Sequence, residues 1–306
     1  MILCCGESLI DMLPRSLPSG EGVFLPVAGG AVFNTAIALG RLGEETGFFC
    51  GLSSDMFGEL LVRTLEESRV SHALCPRMDR PTTLAFVTLV NGHAKYAFYD
   101  ENTALRMLTP ADLPEPGHVT AAQFGAISLI GEPCGTAFEA LCMRLREKSV
   151  ISLDPNVRPG FVRDAASYRA RLERMLDVAD IIKVSDEDLA WLAPGRDFAA
   201  MAREWTEKGA SIVVQTRGER GAIAFTATEQ IEVGAPKTFV ADTVGAGDTF
   251  NAGLLSGLNR AGVLDKRKLK STSRDVLAAA LDLAARAAAV TVSRAGANPP
   301  WLSELS

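Results

Sequence analysis

Short apolar runs alternate with amphipathic ones along most of this chain, and few folds accommodate that order. Strand-like runs fall at residues 2–5, 47–51, 126–130, 150–154, 181–184, 211–216 and 222–226. Helical periodicity covers a segment that opens at Gly29-Gly30 and ends at Gly43, then 56–69, 136–147, 167–178, 197–208, 248–259 and 274–292. Strands that are apolar on both faces must be covered from both sides, so the pattern predicts an α/β fold around a mostly parallel sheet. Two segments break the alternation. Residues 14–26 carry too much Pro, Gly and Ser for a core helix, and 83–99 reads as a hairpin turning at Asn91-Gly92, a pair that supports a two-residue turn with positive φ. Together they predict a small β lid, drawn from approximately 12–27 and 83–101, on one domain spanning 1–306.

Length alone leaves one large or two smaller domains open at 306 residues. A net charge of −6, with no basic run carrying interleaved aromatics, argues against nucleic acid as the main partner. No apolar run approaches a bilayer span, and Met1-Ile2-Leu3-Cys4-Cys5 lacks the basic n-region of a signal peptide. The expectation is a cytoplasmic protein with no membrane partner. Six cysteines without a C-x-x-C pair fit that setting as reduced, buried, small hydrophobes. His72, His93 and His118 are too scattered for a helical zinc motif.

The chemically distinctive stretch is Asp242-Thr243-Val244-Gly245-Ala246-Gly247-Asp248-Thr249-Phe250. It follows an apolar run, Phe239-Val240-Ala241, and opens an amphipathic one, which places Gly245, Ala246 and Gly247 on a tight turn entering a helix. Unpaired N–H groups of a first turn and the positive end of the helix dipole favour negative charge, such as that of a phosphoryl group in transfer. Beside such an anion hole, Asp248 can take a proton from an attacking hydroxyl. Gly-Ala-Gly-Asp by itself fits a loop with a helix cap equally well. The commoner motifs of α/β enzymes are absent: no G-x-x-x-x-G-K-[ST], no G-x-G-x-x-G after the first strand and no G-x-S-x-G.

The full nine-residue string closely resembles the signature of the ribokinase-like carbohydrate kinases, the PfkB family. Gly29-Gly30 with Asn34, continuing through Leu39-Gly40-Arg41-Leu42-Gly43, resembles that family's N-terminal signature. The nearest likeness is to its bacterial fructokinases, through residues 2–14, 96–104 and 293–298. The resemblance implies a three-layer α/β/α sandwich with a mostly parallel central sheet and a small β lid. It also implies an ATP-dependent sugar kinase, most nearly a fructokinase making fructose 6-phosphate. Kinases of 2-keto-3-deoxygluconate, ribose or adenosine stay open on the chemistry, and so does a non-catalytic sugar or nucleotide sensor.

Roles follow from the same resemblance. Asp248 is the implied general base, with Gly245, Ala246 and Gly247 as the anion hole. Asp11, Gly29, Gly30, Asn34 and Phe98 are implied sugar contacts, and Arg158, in Asp154-Pro155-Asn156-Val157-Arg158, reaches the substrate or the transferred phosphoryl. Thr216, Gly218 and Gly221 match a Thr-x-Gly-x-x-Gly that holds ATP. Ser185 stands where many relatives carry an Asn near the nucleotide phosphates, and Asp188 where they carry Glu; a helix cap with acids in its first turn explains Ser185 and Asp188 as well. The implied cofactors are ATP, Mg²⁺ and a monovalent cation such as K⁺, the last held around Asp242, Val244, Thr291, Arg294 and Gly296. Asp100 and Glu101 would repel a sugar acid, which favours a neutral sugar. An exposed β lid has edges and an apolar face to cover, which predicts a homodimer through the lids.

Overall fold

The computed structural model describes residues 1–90, 93–115 and 117–305. Its first part holds β1 (Ile2–Cys5), β2 (Leu9–Ser16), β3 (Gly22–Gly29), α1 (Ala31–Arg41), β4 (Thr46–Phe49), β5 (Leu52–Ser53), α2 (Met56–Glu67), β6 (Val70–Ser71), β7 (Arg77–Met78), β8 (Leu84–Val90) and β9 (His93–Tyr99). There follow β10 (Ala121–Gly125), α3 (Cys134–Leu145), β11 (Val150–Asp154), α4 (Ala165–Leu176), β12 (Ile181–Ser185), α5 (Asp186–Leu192) and α6 (Phe198–Lys208). The chain ends with β13 (Ile212–Thr216), β14 (Ala222–Phe225), β15 (Gln230–Val233), α7 (Ala246–Arg260) and α8 (Arg274–Val292).

Nine strands form a central sheet in the order β15-β14-β13-β12-β11-β10-β1-β4-β6. Pairs from β13 to β6 are parallel, and β14 and β15 add an antiparallel edge. Register decides what each face of this sheet carries. Cys4 lies beside Phe48 and Gln123, and Gln123 beside Ser152. Period-two alternation puts all four on one face with Asp154 and its lateral neighbour Lys183. Phe33 of α1 packs edge-on to Phe48 at 5.5 Å, and Asn251 of α7 bonds Asp154, so α1 and α7 cover this face. The opposite face carries Cys5, Phe49 and Phe124; there Phe138 of α3 meets Phe49 at 6.0 Å. Polar side chains therefore gather on the α1/α7 face, at the carboxyl ends of the strands, which is where open α/β sheets bind ligands.

A second sheet, in the order β3-β2-β8-β9, joins the two segments that break the helix–strand alternation. β2 and β3 pair antiparallel from Leu9↔Gly29 to Ser16↔Gly22, and β8 pairs with β9. The Asn91-Gly92 turn lies outside the described residues. Phe24, Phe86 and Tyr99 stack edge-on across this sheet at 5.0 and 5.5 Å.

The strand expected at 126–130 is instead β10, and Ala126–Leu129 forms a 3-10 turn. Gln123 interrupts the apolar pattern of β10, yet it is buried and its Nε2 donates to the Phe124 carbonyl at 3.0 Å. Ala126 has a φ of +58°, which a strand cannot continue.

α7 crosses α8 closely because a Cβ at Gly253 would lie only 2.5 Å from Cα of Ala284. Gly253→Val is expected to force the two helices apart and lower stability by about 1–3 kcal/mol, the range for overpacking. Urea denaturation of the two proteins at equal m-value checks it. Among the described residues no helix is long and apolar enough to cross a membrane.

Candidate active site

The N-terminus of α7 meets the carboxyl ends of β11 and β12. Gly245 caps α7 with φ +78°, ψ −1°, a left-handed conformation that costs glycine little, and a Cβ there would lie 2.7 Å from Cβ of Ala297. Only glycine satisfies both the turn and the neighbouring loop. Three residues on, Asp248 is buried to 7% exposure. Asn34 Nδ2, from α1, donates to Asp248 Oδ2 at 2.9 Å, and Thr35 Oγ1 donates to the Asp248 carbonyl at 3.3 Å. Burial pushes the Asp248 carboxyl up to about 6, against the pull of Asn34 and Lys183. That leaves it charged near neutrality yet basic enough to accept a proton.

Beneath Asp248 lies a buried polar network. Lys183 Nζ pairs with Asp154 Oδ2 at 2.7 Å, and Asn251 Nδ2 donates to the same oxygen at 2.7 Å. Asp154 Oδ1 is buried without a partner among the described residues. Asp154, Asp248 and Asn251, with Thr35, Gln123 and Asn156, help line a small cleft.

On the other side, Glu7 follows β1 and is 1% exposed. Its Oε1 accepts from the Ala31 and Val32 amides at 2.7 and 3.3 Å, and its Oε2 from Ser128 at 3.3 Å. It thus serves the open N-terminus of α1, where Gly30 has no side chain to cap with. Burial pushes Glu7 up to about 7, from about 4.5 in an exposed chain. Between those values the folded state holds the proton more tightly, so its stability contribution is complete below about 4.5 and is lost as pH rises through about 7. From pH 5 to pH 8, Glu7→Gln should lose about 1–3 kcal/mol less stability than the parent chain. Urea titrations at the two pH values check the difference in slope.

Asp11, half-buried on β2, lies directly against Gly29, so that a Cβ on Gly29 would collide with its Oδ2; burial pushes Asp11 up to about 6. Gly30 lies against the Glu7 carbonyl. Through these contacts the structure brings Asp11, Gly29, Gly30, Asn34 and Asp248 into one continuous surface. Phe98 of β9 packs edge-on to Phe161 with centroids 4.3 Å apart, joining the second sheet to the loop after β11. Arg158 in that loop is exposed and donates to its own Val157 carbonyl at 3.1 Å.

Ser185 caps α5. Its Oγ donates to Asp188 Oδ2 at 2.6 Å and accepts from the Asp188 amide at 3.0 Å, while Asp188 Oδ1 accepts from the Val157 amide at 2.6 Å. These two residues brace the Asn156–Arg158 turn as well as each other. Thr216 ends β13 beside Ser185, and Gly218 and Gly221 shape the turn that follows, with the Arg217 amide donating to the Gly221 carbonyl at 2.8 Å. Asp242 clamps two loops: its Oδ1 accepts from the Val244 amide at 3.1 Å and its Oδ2 from the Gly296 amide at 2.9 Å. Thr291 Oγ1 donates to Thr249 Oγ1 at 2.9 Å, and Arg294 pairs with Glu304 at 2.5 Å. Asp242, Val244 and Gly296 are thus gathered at one point. Among the described residues no group of three His, Cys, Asp or Glu is placed to hold a metal ion.

Sequence reasoning missed Glu7, Lys183, Asn251 and Phe161 as parts of the site. Two carried a signal. Lys183 is a charge in an otherwise apolar strand, and Asn251 follows Asp248 by three positions on the same helix face. The charge argument from Asp100 needs correction: Arg106 pairs with it at 2.5 Å, so Asp100 is not a free charge set to repel a sugar acid.

A family model described as pfkB family carbohydrate kinase matches residues 2–304. The chain is 53% identical over 278 residues to a fructokinase of Rhizobium leguminosarum bv. trifolii, covering 90% of this chain and 85% of that one. Among solved structures it is similar to a fructokinase with bound ATP from Xylella fastidiosa, with TM-score 0.92, 30% identity, and coverage of 99% of this chain and 96% of the other. A fructokinase from Vibrio cholerae O395 in fructose, ADP and calcium ion bound form matches with TM-score 0.84 and 25% identity over 97% and 94% of the two chains.

Proposed function

We propose that this chain, which belongs to the pfkB family of carbohydrate kinases, transfers the γ-phosphoryl of ATP to the primary hydroxyl of D-fructose, with Asp248 as the general base. The observation that carries the reading is the buried Asp248 carboxylate at the mouth of α7, fixed by Asn34 from the helix that begins at Gly29-Gly30. The identity to fructokinases supports fructose as the sugar.

Asp11 and Asn34 hold sugar hydroxyls against the Gly29-Gly30 backbone, and Phe98 flanks the ring. Asp248 Oδ1 or Oδ2 accepts the hydroxyl proton as the oxygen attacks phosphorus. The amides of Gly247 and of Ala246, the latter leaving its 3.3 Å bond to the Thr243 carbonyl, receive the transferring group's charge, and Arg158 swings from its own backbone to pair with phosphoryl oxygens. Thr216, Gly218 and Gly221 hold the nucleotide, with Ser185 at its edge. Mg²⁺ brought in with ATP would supply neutralisation of its phosphates, and the loops at Asp242, Val244, Thr291, Arg294 and Gly296 would hold a monovalent cation beside the anion hole. The second sheet closes over the sugar as a lid and keeps water from the phosphoryl.

Phe24 and Tyr99, which flank Phe86 on one side of that sheet, are 45% and 62% exposed, an apolar face that supports a homodimer formed through the lids. Light scattering giving a monomer at micromolar concentration would remove the dimer. A cytoplasmic setting is supported by the six cysteines, all free.

The test is ADP release with Mg²⁺, with and without K⁺, on fructose, glucose, ribose, 2-keto-3-deoxygluconate, fructose 6-phosphate and adenosine. Fructose should give the highest kcat/KM. The Asp100–Arg106 pair keeps the sugar acid as a second reading; preference for 2-keto-3-deoxygluconate would change the sugar and leave the kinase. No turnover on any of them would favour a sensor.

A further inference from the structure

The Lys183–Asp154 pair is a buried charge pair that the proposed chemistry does not use, and it brackets the catalytic turn. Leu153 lies beside Ile182 in the parallel β11–β12 ladder, so the next residues, Asp154 and Lys183, are lateral neighbours where the strands end. Each side chain is 4% exposed. On one flank a Cβ at Gly247 would lie 3.2 Å from Lys183 Nζ, so the ammonium sits against the residue before Asp248. On the other flank Asp154 accepts from Asn251, three residues after Asp248 on the same helical face. Among the described residues Asp154 is the one hydrogen-bond partner of the Lys183 ammonium.

A buried ammonium at a helix N-terminus is opposed by the helix dipole, and burial also works against its charge. Asp154, Asp188 and Asp248 outweigh both, and the lysine is held charged. Replacing such a pair with apolar residues is often neutral or stabilising, so its presence calls for a reason other than stability. Resting on the reading of Asp248 as the base, we propose that Lys183 is a positioning residue: seated by Asp154 beneath the first turn of α7, it is the buried counter-charge that keeps the Asp248 carboxylate ionised. Without it Asp248 would stand near the acids Asp154 and Glu7 and face only the exposed Arg158, whose guanidinium is free to leave.

The experiment is the pH profile of kcat/KM for the sugar, by ADP release, in the parent chain, Lys183→Met, Asp154→Asn and Asp248→Asn. Lys183→Met should move the acid limb to higher pH by about one unit, and Asp154→Asn, which removes a neighbouring negative charge of similar size and shape, should move it to lower pH. A merely structural role lowers the profile without moving its limb. If neither limb moves, or both move the same way, while Asp248→Asn has lost turnover, the inference fails and the base assignment stands. If Asp248→Asn keeps parental turnover, the base assignment fails and takes the inference with it. Should Lys183→Met not fold, Lys183→Gln, which keeps a polar chain of similar reach without the charge, takes its place: a limb that stays in place overturns the proposal.

Discussion

Asp248→Asn is expected to fold normally and to lower kcat by ~10² to 10⁴, the range for removal of a general base. The substitution is nearly isosteric, and the contact it disturbs is one hydrogen bond, since Asn34 Nδ2 can still donate to a carboxamide oxygen at position 248. Thr35 bonds the Asp248 backbone, so the first turn of α7 stays anchored to α1. Sugar KM should therefore change far less than kcat. Stopped assays of the purified variant with its circular dichroism spectrum separate chemistry from folding. A variant that folds and keeps parental turnover would remove Asp248 from the proton path.

Gly245→Val should be nearly as severe, with kcat down by ~10² to 10³, the effect of losing anion-hole donors. Valine is unfavourable at φ +78°, and its side chain would meet Ala297. Two strains then act at once: the turn must open, and the loop that Asp242 ties through the Gly296 amide must shift. Either displaces the Ala246 and Gly247 amides from the position a transferring phosphoryl would occupy, and 1 Å of misplacement is costly in such sites. Gly245→Ala, with a smaller clash, should be intermediate. Parental kcat in both variants, measured at saturating ATP and sugar, would show that the turn does not form the anion hole.

Much of the scaffold was legible because local physics fixes it. Residues 150–154 and 274–292 read as strand and helix with the boundaries the structure has, since a short, mostly apolar run ending in Asp-Pro and a long period with a Ser cap leave few alternatives. β10 was misplaced because one buried glutamine, satisfied by its neighbour's carbonyl, looks in sequence like the end of an apolar run. Asp100 was misread for a related reason. A carboxylate's effective charge depends on what sits beside it, and Arg106 is six residues away in a loop whose path the sequence does not state.

By itself the sequence determined the alternation that builds a parallel sheet, the glycine turn into α7 with its aspartate, and the family those strings resemble. Each is encoded by residues adjacent in the chain, where sterics, periodicity and helix-end electrostatics act over a few positions. Only the tertiary structure decided that Asn34 meets Asp248 across 214 positions, that Asn251 and Lys183 converge on Asp154, and that Glu7 caps α1. Those contacts depend on strand order and register, which are set by the packing of the whole core. A residue's charge, proton affinity and reach are then fixed by neighbours that the chain brings from far away.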